Sequence, residues 1–263
     1  MAFFATHPPL PSRVADTAAR AGGLQRGSAA PITATRAEFL RRLDGLPVDP
    51  RPGDGVVEGE RFAHPDLGFE LRFPAGWKVA NGRQTVAAVA PGRDAMIVLE
   101  GAGNGTDPTV ALQAFEKQAG IDLSSGAERF EVNGLPAVRA AARARTRDGP
   151  LVLEITWVAE GDHIYRIVGA TTPSRVATFQ PAFREAAASF RRLTAAERGS
   201  FREFRLRLVA ARGGETLAQL LTRANAATWS TEMVAVANGL EAGTPLRGGE
   251  LLKVPRAEPY RPR

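Results

Sequence analysis

Three histidines, at positions 7, 64 and 163, are the only imidazoles in 263 residues, and there is no cysteine. Disulfides, thiolate metal sites and cysteine catalysis are therefore excluded. A hydrolytic zinc needs three protein ligands and an open fourth position, and imidazole is the usual ligand. No two histidines stand four residues apart, and no H-E-x-x-H occurs, so the spacing supplies no zinc-binding helix. Ser124-Ser125 has no histidine near it, which leaves a serine nucleophile unsupported. Gly101-x-Gly103-x-Gly105 lacks the Lys-Ser/Thr of a phosphate loop and opens no dinucleotide-binding helix, so it reads as a flexible loop. His64, before Pro65-Asp66, reads as a turn residue, and His163, after Gly161-Asp162, as an edge residue of a strand. Trp77, Trp157 and Trp229 read as core or rim aromatics. No catalytic residue and no metal ligand is assigned.

Charge points to one end of the chain. The net charge is +6, and residues 198–263 alone carry eleven basic against six acidic side chains, a net of +5. Such an end could meet an anionic polymer or a membrane surface. Its arginines are scattered, with little aromatic interleaving, so no nucleic-acid partner is expected. No apolar run approaches the roughly 18–20 residues of a membrane span, and a soluble chain is expected. The opening MAFFATHPPL has no basic n-region and too short an apolar core to be a signal peptide.

Three segments follow from the patterning. Residues 1–55 read as a short helical remnant and linker. Ser12 can cap a helix through about Ala21, and Ala34–Leu43 is amphipathic with Phe39, Leu40 and Leu43 on one face. Two such helices bury too little to fold alone. LPVDPRPGDG then interrupts regular structure. Residues 56–197 read as an α+β domain with helices on an antiparallel sheet. Leu67, Phe69, Leu71 and Phe73 alternate with Gly68, Glu70 and Arg72 as a half-buried strand. Strands are expected at Thr85–Ala90 and Ala95–Glu100, then a helix opening at Asp107-Pro108. Hairpins turn at Asn133-Gly134 and Glu160-Gly161-Asp162, and a helix over Pro173 to about Phe190 must kink or restart at Pro181. A break is expected at Ala195–Ser200. Residues 202–256 read as a small β-α-α-β unit: a strand through Phe204, Leu206 and Leu208, two short helices, and a closing strand Leu251–Val254 that stops at Pro255.

Two stretches carry family resemblances. Gly214-Glu215-Thr216-Leu217, then Ala237-Asn238-Gly239-Leu240, then Leu246-Arg247-Gly248-Gly249-Glu250-Leu251-Leu252-Lys253-Val254-Pro255 resemble a LysM module. The resemblance implies a glycan-binding groove with Gly214, Thr216, Asn238 and Leu240 as its residues, and peptidoglycan as the ligand. Glu215 stands where the family has Asp. Thr6-His7-Pro8, with Arg13 after it, resembles the T-H-P-x-x-x-x-R segment of BepA/HtpX-like zinc metallopeptidases. Phe39–Leu46, Gly55–Phe62 and His64–Pro74 continue that resemblance. The G-F-x-x-x-F-P-x-G-W strand and Val132–Pro136 are similar to the PsbP/Mog type of α+β fold.

These resemblances imply the non-catalytic C-terminal region of a periplasmic zinc metallopeptidase, a hydrolase acting in envelope proteolysis. Its catalytic domain, with the zinc, is expected upstream of Met1, and His7 would gate the open zinc position of the intact enzyme. The chain itself is expected to hold no cofactor and to be inactive alone. Its partners would be the missing peptidase domain and envelope proteins or peptidoglycan. The alternative is a stand-alone envelope protein that binds peptidoglycan through the LysM-like module.

Overall fold

The computed structural model describes residues 10–23, 32–48, 50–147, 149–226, 229–241, 243 and 245–262. It divides into two units, Met1–Asp44 and Gly45–Arg263. His7 lies outside the described residues.

The first unit holds two helices. Helix α1 spans Leu10–Gly23, so Ser12 lies inside it rather than capping it. Helix α2, Arg36–Leu43, is capped by Thr35, whose side chain accepts from the Glu38 amide. On α2, Leu40 is buried while Phe39 is exposed, so the expected face is narrower than its spacing suggested.

The second unit is α+β with three antiparallel sheets. The largest has seven strands: β5 (Lys78–Asn81), β6 (Thr85–Val89), β7 (Ala95–Asn104), β8 (Glu128–Val132), β9 (Leu135–Thr146), β10 (Gly149–Glu160) and β11 (His163–Thr171). Their order is β5-β6-β7-β11-β10-β9-β8. Residues on opposite faces of β7, β9, β10 and β11 enter two separate cores. One contains Ile97, Tyr165, Ile167 and Val158 with Phe183 of helix α4 (Val176–Ala188). The other contains Val138, Ile155, Trp157 and Ile164 with Leu112 of helix α3 (Pro108–Ala119). Helix α3 starts as its sequence predicts: Asp107 caps it by accepting from the Thr109 amide, and Gly120 closes it in the left-handed region at φ 66°.

A four-stranded sheet packs on the first core, in the order β12 (Arg191–Arg192), β4 (Phe69–Arg72), β3 (Arg61–His64), β2 (Val56–Glu58). The third sheet, β1 (Pro47–Val48), β13 (Arg202–Ala210) and β14 (Leu251–Pro259), carries helices α6 (Leu217–Arg223) and α7 (Thr231–Asn238). Short helix α5 (Ala195–Ser200) joins the last two sheets where a break was expected; a reciprocal Thr194–Glu197 capping box supports it. Ala63, Leu193, Phe201 and Tyr260 form a small core where these two sheets meet.

Several expectations are corrected. Helix α4 runs through Pro181 without a break. The carbonyl that loses its partner belongs to Ala177, which is exposed, so solvent can take the bond. Strand β14 continues past Pro255 to Pro259 because it has a strand neighbour only in β13. Lys253, two residues earlier, turns its N–H to the other edge, to Asn238, so the proline nitrogen there removes no ladder bond. Gly101 and Gly103 lie within β7, and a register shift opposite Ile164 and Tyr165 leaves a bulge between them. His163 opens β11, which lies between β7 and β10 rather than at an edge. His64 is the last residue of β3. Leu67 is exposed and precedes β4, and Glu70 is buried to 1%.

Candidate functional site

Of the residues singled out for glycan binding, Gly214 and Thr216 lie where the loop after β13 runs into α6, and Asn238 and Leu240 lie at the end of α7. The core of this β-α-α-β unit, with Leu217, Leu220, Val234, Leu246, Leu252 and Val254, holds α6 and α7 against β13 and β14. The loop after β13 and the loop before β14 are bonded to each other through backbone groups. Gly214 N–H donates to Leu246 O, Leu246 N–H to Glu215 O, Gly249 N–H to Ala211 O and Ala211 N–H to Glu250 O, at 2.9–3.1 Å. Glycines let the two strands of backbone come close: a Cβ at Gly248 would stand 3.3 Å from the Gly213 nitrogen. Gly214 itself sits at φ 77°, which a side chain rarely adopts.

The individual side chains have local duties. Thr216 caps α6, accepting from Gln219 N–H while the Gln219 side chain returns to the Thr216 amide. Glu215 holds Arg223 through two hydrogen bonds of 2.9 Å. The Arg223 guanidinium, with the Arg212 amide, brings its carboxyl down to about 2. Leu240 is half-buried against the core of the unit. Asn238 is buried, and its side-chain amide donates to Val234 O at 2.9 Å and Lys253 O at 2.8 Å while accepting from Lys253 N–H at 2.8 Å. It ties the end of α7 to β14. Asn238→Ala should therefore cost about 1–3 kcal/mol of stability, because two backbone groups of Lys253 lose their partner. Urea unfolding of the full chain checks this; a change within about 0.5 kcal/mol would show that the tie is redundant.

The two described histidines, His64 and His163, each sit in a local hydrogen bond. Leu67 N–H donates to His64 Nδ1 at 3.2 Å, and burial lowers the basicity of this imidazole. His163 Nδ1 lies 3.1 Å from Asn104 Oδ1. Among the described residues, no three His, Asp or Glu side chains come together as a metal could use. No helix among the described residues is long and apolar enough to cross a membrane.

Composition gave no sign of two other charged features. Glu70 is enclosed by Arg61 Nε at 2.6 Å and Arg191 Nη2 at 2.8 Å. Arg51 lines a cleft beside β13 and β14. Arg191 reaches Glu70 from more than a hundred residues away, and Arg51 meets its cleft from a similar distance, so only the fold brings these groups together.

No protein-family model matches the chain, and no curated protein does. Solved structures with loose similarity include one from Bacteroides thetaiotaomicron, 12% identical with a TM-score of 0.42 over 68% of this chain. The chain spans 62% of that protein's length. CyanoP, the cyanobacterial PsbP of Synechocystis sp. PCC 6803, is 16% identical over 52% of this chain and 95% of its own, with a TM-score of 0.41. LpqN of Mycobacterium tuberculosis, a protein involved in cell envelope biogenesis, is 14% identical over 62% of this chain and all of its own, with a TM-score of 0.38. At these values the likenesses carry no functional argument.

Proposed function

We propose that this chain is the non-catalytic, binding part of a cell-envelope protein, working on the periplasmic side. Its recognition surface is the glycine-rich double loop around Gly214 and Gly248. The observation that supports this is the backbone ladder between the two loops, which presents a fixed edge with few side chains to clear. A preformed edge loses little entropy on binding an extended polymer. The resemblance of residues 1–77 to BepA/HtpX-like peptidases assigns it a partner, an upstream zinc metallopeptidase domain that it positions or for which it recruits envelope components. The LysM resemblance assigns the edge a glycan, peptidoglycan.

The full chain should sediment with purified peptidoglycan at about 0.15 M salt, where the screening length is about 8 Å and diffuse attraction by the +5 segment is weak. Gly248→Val pushes a side chain between the loops and should reduce binding about tenfold, or about 1.4 kcal/mol. Its melting temperature is measured alongside. Arg83→Gln, an exposed change in the β5–β6 turn, should bind normally. Equal binding by Gly248→Val, or retention that vanishes at moderate salt, refutes glycan recognition by this edge.

A further inference from the structure

We propose that Arg51 anchors a binding site for an external oxyanion, a carboxylate or phosphate group, in the cleft beside the ends of β13 and β14. This inference is independent of the glycan edge. The cleft has a volume of about 450 Å³ and is lined by Arg51, Glu203, Arg205, Glu258, Tyr260 and Arg261, together with Pro259. Its anchor lacks a partner: Arg51 Nε is buried and makes no hydrogen bond. Other partly buried arginines of this chain are matched, as Arg61 is by Glu70, Arg166 by Glu100 and Arg223 by Glu215. A guanidinium N–H held away from water without an acceptor is costly, and a charged acceptor satisfies it best.

The two acidic residues of the cleft are already engaged. Glu203 Oε1 pairs with Arg205 Nε at 3.0 Å. Glu258 takes Arg207 in a bidentate pair, with hydrogen bonds of 2.6 and 2.8 Å. The Tyr260 hydroxyl donates to Asp66 Oδ1 at 2.8 Å. Arg51 and the exposed Arg261 therefore leave the cleft with a positive excess that no side chain lining it neutralises. A cationic ligand would meet three guanidiniums, whereas an oxyanion would meet two carboxylates whose charge is already balanced.

The anchor is also held still. Arg51 precedes a 3₁₀ turn, Pro52–Asp54, with Pro52 buried at its start. The turn lies so close under Tyr260 that a Cβ at Gly53 would come 2.4 Å from the hydroxyl oxygen and 2.8 Å from Asp66 Oδ2. A guanidinium on a fixed backbone loses little freedom when it closes on a planar or tetrahedral oxyanion.

The test is an NMR titration of the full chain, following arginine Nε–H and Gly53 amide signals, with inorganic phosphate in one arm and succinate in the other at constant ionic strength. Saturable shifts of the Arg51 Nε–H and Gly53 signals are expected in at least one arm, and the stronger arm tells phosphate from carboxylate. Read at Gly53, Arg51→Gln should weaken binding about tenfold, and Arg51→Lys should also weaken it, since a point charge lacks the fork. Arg261→Gln alters an exposed side chain, should keep the melting temperature, and should weaken binding by a smaller factor. Arg83→Gln serves as the control. Shifts that grow linearly in both arms and spread over all arginines, or undiminished binding in Arg51→Gln and Arg261→Gln, overturn the proposal.

Discussion

Glu70→Ala should lower the unfolding free energy of this protein by about 3 kcal/mol, measured by urea unfolding at neutral pH. Glu70 lies on β4, between β3 and β12, and is 1% exposed. Its carboxylate accepts from Arg61 Nε at 2.6 Å and from Arg191 Nη2 at 2.8 Å. Removing one member of a buried ionic group commonly costs about 3–5 kcal/mol, because charge is left without its counter-charge. The lower end applies here for a stated reason. Arg61 keeps Glu58 and Arg191 keeps Glu197 as second partners, and both guanidiniums reach partway to solvent. Glu70→Gln keeps the shape and one acceptor oxygen, so it should cost less than the alanine. The triple change Arg61→Met, Glu70→Leu, Arg191→Met should recover much of the loss, since burying apolar groups in place of an ionic triad is often neutral or better. If Glu70→Ala costs under about 1 kcal/mol, the outer pairs alone hold these arginines.

Glu70 also marks a boundary of what the sequence discloses. The alternation of Phe69, Leu71 and Phe73 correctly places apolar side chains in the core, but it assigns Glu70 to solvent. The opposite face is covered by Arg61, Arg191 and Phe201, which come from other strands and from the loop before β13. Local signals served well where the energetics are local. Asp107-Pro108 and Gly120 bound α3, and Asn133-Gly134 turns the β8–β9 hairpin, because caps and turns depend on neighbours in sequence. A restart at Pro181 and a stop at Pro255 were expected and do not occur, for the opposite reason. The cost of a proline depends on whether the bond it removes had a buried partner, which follows from exposure and strand order. The candidate site divides in the same way. The Gly214 and Gly248 loops were legible as a motif, and they do meet. Asn238 belongs to the same motif, and its amide bonds Val234 and Lys253, a tie that no local signal in the sequence discloses. Arg51 had no sequence signal at all, since its cleft is made by residues about 150 to 210 positions further along the chain.

Gly169→Val should destabilise the chain by about 3 kcal/mol, against the direction that strand propensity predicts. Gly169 lies inside β11, opposite Glu154 on one side and Ile97 on the other. Valine favours strands and glycine does not, so propensity alone would have the change stabilise the protein, on a scale of about 1 kcal/mol. Packing decides otherwise. A Cβ on residue 169 would stand 2.2 Å from Cγ of Phe183 and 2.5–2.6 Å from its Cδ atoms. The Phe183 ring of α4 rests directly on the strand backbone. It is fixed there edge-on to Trp77, at 6.4 Å and 90°. Neither ring can retreat without opening the core, so either the helix lifts or the strand bends. Gly169→Ala should already cost about 1–3 kcal/mol by the same contact. The cause is isolated by a double change. Phe183→Leu opens space over residue 169, so Gly169→Ala with Phe183→Leu should cost less than the sum of the single changes by about 1 kcal/mol or more. Strict additivity, or a valine variant more stable than the parent, would show that α4 does not sit on this glycine.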